Sequence, residues 1–74
     1  MPQLEFRLRT EYIELNQLLK LAGVCASGGA GKALVAAGGV AVDGTPESRK
    51  TAKIRAGQVV TIGDVSIAVL APDS

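Results

Sequence analysis

Apolar and charged residues alternate along Leu4-Glu5-Phe6-Arg7-Leu8-Arg9. That period of two predicts a strand with one face buried. The period then changes. Leu15, Leu18, Leu19 and Ala22 recur at the spacing of one helical face. A helix over 11–22 is predicted, with Thr10 as its N-cap, Glu11 in its first turn and Gly23 as its left-handed stop. Ser27 is placed to cap a second helix running to about Ala37. Its inner face is expected to hold Ala30, Ala33, Leu34 and Ala37. Gly28, Gly29 and Gly31 are poor helix formers, each up to about 1 kcal/mol less favourable than Ala. Tertiary contacts must therefore hold this helix start, and Gly38-Gly39 ends the helix.

Beyond the helices the pattern is that of short strands. Val40-Ala41-Val42 is followed by Asp43-Gly44, a strong hairpin-turn signal. The return strand is expected from Thr45 towards Ser48, with Pro46 holding it at a sheet edge. Arg49 to Lys53 reads as an irregular excursion and Ala56-Gly57 as a turn. Val59 to Ile62 and Val65 to Leu70 read as strands joined by Gly63-Asp64, and Ala71 to Ser74 as a frayed tail. The expected fold class is α+β, with two packed helices followed by a small, mostly antiparallel sheet of short strands.

Composition narrows the chemistry. The chain has 74 residues, which make one domain spanning 1–74. Only 3% of residues are aromatic (Phe6 and Tyr12), so Leu, Val, Ile and Ala must build the core. Both rings are expected to be core or helix-packing residues rather than base stackers, which points to recognition of backbone and shape. Cys25 is alone and no histidine is present. A lone Cys forms no internal disulfide, which fits a reducing cytoplasm, and it is expected to be a buried or half-buried structural residue. Without His, a Ser or Cys nucleophile lacks its usual base, and the common zinc patterns are excluded. No enzymatic activity, metal or cofactor is expected. The N-terminal stretch does not resemble a signal peptide, and no apolar run approaches a membrane span. The start at Met1 reads as that of a complete chain.

Charge is local rather than global. The formal net charge is +1. Residues 32–55 alone carry Lys32, Arg49, Lys50, Lys53 and Arg55 against Asp43 and Glu47, a balance of +3. A local patch of this kind suits a polyanion. Arg49 and Arg55 can fork onto phosphates, with Lys50 and Lys53 as mobile point charges. Ser27-Gly28-Gly29-Ala30-Gly31-Lys32 invites a phosphate-loop reading, but Ala26 and Ala33 stand where that motif needs Gly and Ser or Thr. A plainer phosphate site survives there: glycines expose backbone N–H groups at a positive helix end. An ordinary solvated lysine at position 32 fits these residues equally well.

The ordered set Ile13 to Gly23, Ser27-Gly28-Gly29, Lys32, Gly39 to Gly44, Glu47 to Lys50 and Lys53 to Gly57 resembles the alpha-L RNA-binding domain. That domain is named for the fourth protein of the small ribosomal subunit. The likeness is greatest to its short stand-alone bacterial members, ribosome-associated proteins, and covers about residues 10–62. It implies a non-catalytic module that binds structured RNA, ribosomal RNA first and transfer RNA second, on the ribosome or its precursors, as a cytoplasmic monomer. By position, the implied RNA-facing residues are Lys20, Ser27, Gly28, Gly29 and Lys32, with Arg49, Lys50, Lys53 and Arg55 on the loop side. Three departures stand out. Gly28 replaces an Arg common in the wider family, Gln58 replaces an Asp after the last turn, and Gly31 stands where a helix former is usual. The last is expected to loosen the second helix. The competing expectation is a protein-interaction adaptor that docks on a ribosomal protein or RNA enzyme.

Overall fold

The computed structural model describes residues 3–72. In chain order these form β1 (Gln3–Arg7), β2 (Tyr12–Glu14), α1 (Leu15–Leu21), α2 (Gly28–Ala36), β3 (Val40–Val42), β4 (Thr45–Pro46), β5 (Lys53–Arg55), β6 (Val59–Ile62) and β7 (Val65–Leu70). Five strands make one sheet in the order β1-β7-β6-β3-β4, and β2 pairs with β5 in a separate ribbon. The β1–β7 pair is parallel and every other pair is antiparallel. The class is α+β, as expected. The order is not simply helices then sheet, because β1 and β2 both precede α1.

The largest departure from the periodicity lies at residues 12–14. These form a strand, not the first turn of a helix. Tyr12 and Ile13 favour extended backbone, and Ile13 stands opposite the buried Ile54 in the ribbon. Thr10 accordingly caps no helix; its hydroxyl donates to the Tyr12 carbonyl at 2.8 Å. Glu11 likewise lies outside any first helical turn. Glu14 is the N-cap and makes no side-chain capping bond. The 49–52 loop does the capping instead. Leu15 N–H donates to Ala52 O at 2.9 Å, and Asn16 N–H to Lys50 O at 3.1 Å.

Both helix ends follow the glycine signals. Gly23 and Gly38 have φ of +82° and +81°, the left-handed region. Gly23 N–H bonds Lys20 O and Val24 N–H bonds Leu19 O, the paired closure that such a glycine permits. At the β3–β4 turn, Asp43 and Gly44 both have positive φ, which matches the twist of a tight hairpin. Strand β4 is the expected edge, though it stops at Pro46.

The core gathers Leu15, Leu18 and Leu19 of α1, Val35 of α2, Ile54 of β5, and the alternating pairs Val60/Ile62 and Ile67/Val69. Strand alternation thus lands as the period of two requires. Helix α2 is rotated from its expected setting. Gly31 and Val35 are buried and Leu34 half-buried, while Ala30, Ala33 and Ala37 are exposed. Branched side chains bury more apolar area than alanines, so they take the inner face. Cys25 is half-buried against the core, as expected. Of the expected frayed tail, residues 73 and 74 lie outside the described residues. No helix of the described chain is long and apolar enough to cross a membrane.

Candidate nucleic-acid interface

The two cation-bearing elements meet at Asn16. Its N–H binds the Lys50 carbonyl, which anchors the basic loop on the first turn of α1. Its own carbonyl faces α2 so closely that a Cβ built on Gly31 would lie 2.9 Å from the oxygen. Only glycine lets the helices approach this far. Gly31 therefore seats the second helix rather than loosening it. Lys32 follows Gly31 directly, so the backbone segments that carry Lys32 and Lys50 both reach Asn16, and both lysines are exposed. Asn16 is 3% exposed, and its Oδ1 accepts no hydrogen bond among the described residues.

The start of α2 is capped as the sequence predicts. Ser27 is extended, and its hydroxyl accepts from Ala30 N–H at 3.2 Å. The first intrahelical bond runs from Gly31 N–H to Ser27 O. The N–H of Gly29, in the first turn, has no partner within the helix. No acidic residue stands in the first turn to neutralise it. This end of α2 carries the positive partial charge that favours an anion. Exposed Gly29 brings no side chain to block a close approach.

The remaining predicted residues separate into three situations. Lys20 is exposed in the last turn of α1, where a cation complements the helix dipole. It lies four residues beyond Asn16, on the same side of the helix. Arg49 is not the unencumbered fork that the sequence led us to expect. Glu47 Oε2 accepts from its backbone N–H at 3.1 Å and from its Nε at 3.2 Å, and Oε1 accepts from Nη2 at 3.2 Å. These hydrogen bonds from Arg49 hold the Glu47 carboxyl below its ordinary pKa and raise that of Arg49. A side chain two residues back was close enough to pair.

Lys53 and Arg55 project from the exposed face of β5 towards Tyr12. Lys53 Nζ lies 4.9 Å from the ring centroid and Arg55 Cζ lies 5.7 Å from it. Tyr12 is 37% exposed and so is not the core residue that the sequence allowed. Phe6 is half-buried against the core, as expected. Gln58 secures the strand end: its Oε1 accepts from Arg55 N–H at 2.7 Å, while its amide reaches Asp43 at 3.5 Å.

The S4 domain model matches residues 6–70 of this sequence. The chain belongs to the S4 domain family. It is 47% identical over 60 residues to YbcJ of Escherichia coli (strain K12), spanning 81% of this chain and 86% of that protein. The same figures hold for YbcJ of Shigella flexneri, an uncharacterized protein. The solution structure of E. coli YbcJ matches with a TM-score of 0.72 at 44% identity, covering 90% of this chain and 86% of the other. That structure is described as revealing an alpha-L motif involved in RNA-binding. Within the S4 domain frame, two residues that shape this region escaped sequence reasoning. Asn16 looked like one more polar helix position. Tyr12 was absorbed into a helix, although Thr10, Tyr12 and Glu14 alternate with Ile13 between them, the period of the strand it occupies.

Proposed function

We propose that this S4 domain protein binds structured RNA without chemically altering it, with ribosomal RNA as the target class, in the ribosome or its precursors. The observation that carries the reading is the Asn16 junction. The backbone of the Lys50 loop bonds Asn16 and the backbone of α2 approaches it at Gly31, next to Lys32, which supports a shared role for the two lysines. Such an arrangement suits phosphates held in a fixed geometry, which is how a folded RNA differs from a flexible one. The kinship with YbcJ, whose structure is described as an RNA-binding motif, supports the same partner. Non-catalytic binding follows from the chemistry available: the chain has no histidine. A reducing cytoplasm suits the lone Cys25.

The test is binding to ribosomal RNA across a salt series. With roughly four phosphates neutralised, log affinity should fall with log salt at a slope of about −3 to −4. Crosslinking and sequencing of RNA from ribosomal particles would name the site. Salt-insensitive association that depends on exposed Leu21 instead of Lys32 and Lys50 would overturn the reading in favour of a protein adaptor.

A further inference from the structure

Beside the phosphate-oriented junction, the β2–β5 ribbon holds a surface of different chemistry. Tyr12 and Arg55 are register partners, and Glu14 stands opposite Lys53. All four are exposed while Ile13 and Ile54 turn inward. The face thus carries one ring, two cations and one acid. The same ring also lines a cleft shared with Arg9, Ile13 and Leu21. Leu21 is 58% exposed, the most exposed large hydrophobic among the described residues. Arg7 and Arg9 are exposed at this cleft and bring the cations to four. Glu5 also lines it, and Glu11 is exposed nearby in sequence.

We propose that Tyr12 is a stacking position for an unpaired nucleobase, with Lys53 and Arg55 holding the phosphates on either side of it. An exposed ring and an exposed leucine beside a cleft favour a flat apolar ligand. The cations on the same face select one that is joined to phosphates, and a nucleotide within a single strand is both. The cation–ring contacts hold Lys53 and Arg55 at the ring before the strand arrives, which reduces the ordering cost of binding. The ribbon sits directly ahead of α1, whose first turn anchors Lys50. A folded RNA gripped at the junction can therefore offer an adjoining unpaired base to Tyr12. This inference rests on the RNA-binding reading and adds a single-strand element to it.

The chain supplies its own reporter. Tyr12 is the single tyrosine and there is no tryptophan, so intrinsic emission reports this ring alone. The probes are a blunt RNA duplex and the same duplex carrying a single-stranded oligoadenylate extension. The extension is expected to quench Tyr12 emission and to tighten binding roughly tenfold, the scale of one base–aromatic stack. Tyr12→Phe should keep the gain, whereas Tyr12→Leu should lose it, so that the two probes bind equally. Equal affinity and equal emission with both probes would overturn the stacking position and leave the duplex-binding reading intact. Failure of the protein to bind either probe at low salt would overturn both.

Discussion

Lys32 and Lys50 stand on backbones that touch Asn16 from two sides, whereas Lys53 and Arg55 stand on one strand and lean on Tyr12. In the sequence these four residues look alike. In the fold, the first pair is held by a close helix approach and a loop anchored on α1. The second pair is held by strand register and an aromatic ring. The first region offers fixed charge and backbone N–H groups, which suit a ligand with a rigid phosphate pattern. The second offers charge beside a π-surface, which suits a ligand that can present a base. Charge density in a sequence therefore says that an anion is welcome, and the neighbours decide which features of it are read.

Gly31→Val should break the first region and spare the second. Its Cβ would fall 2.9 Å from a backbone oxygen, and neither helix can yield without moving its core leucines and valines. Overpacking of this kind is expected to cost about 3 kcal/mol, visible as a lowered urea midpoint. That is a large share of the stability of so small a domain. At temperatures where the variant remains folded, affinity for structured RNA should drop. Tyr12 emission should still respond to single strands. An unchanged urea midpoint would mean that the helices separate freely, and the junction would lose its claim to rigidity.

The double variant Lys32→Ala/Lys50→Ala sharpens the comparison without disturbing the fold. Both side chains are exposed, so stability should change by less than about 0.5 kcal/mol. The salt slope for a structured RNA should become shallower by about two, with affinity at low salt lower by at least tenfold. Retained slope would move the phosphate contacts elsewhere. Ser27→Ala is intermediate. It removes the acceptor for Ala30 N–H and should cost about 1 kcal/mol, read by thermal or urea unfolding. Ser27→Gly should cost only a few tenths of a kcal/mol, since glycine is itself tolerated at that position.

Much of this was legible beforehand because local chemistry dictated it. Ser27, Gly23, Gly38 and the Asp43-Gly44 turn each act through their own backbone and fell where expected. The strands β6 and β7 also fell where expected. What stayed hidden depended on partners distant in sequence. Residues 12–14 became a strand because Lys53–Arg55 was there to pair with them. Helix α1 lacked a side-chain cap of its own because carbonyls from the 49–52 loop replaced one. Gly31 looked like a weakness in α2 because its reason is the Asn16 carbonyl on another helix. Of the implied binding residues, the sequence marked the cations but could not sort them by surroundings.

Arg49 lies between the two regions, and its behaviour is the smallest effect and the finest discriminator. Its fork already engages Glu47, and this pairing holds the Glu47 carboxyl below its ordinary pKa of 4.5. A depressed folded-state pKa means that the pair's contribution is complete at neutral pH and is lost as pH falls through the lowered value. NMR titration of the Glu47 carboxyl should therefore show a midpoint below 4.5 that moves back up in Arg49→Ala. Because the pair is exposed on the Arg49 side, salt should weaken it. For RNA binding, Arg49→Ala should reduce affinity less than Lys50→Ala, by about twofold at most, since an exposed pair already screens the charge. Glu47→Gln frees the fork and should raise affinity at low salt. If Arg49→Ala instead cost as much as Lys50→Ala, the ion pair would have to open on binding. Arg49 would then join Lys32 and Lys50 as a phosphate contact, and the boundary between charge that is free to bind and charge that is already paired would move from Arg49 to the Tyr12 ribbon.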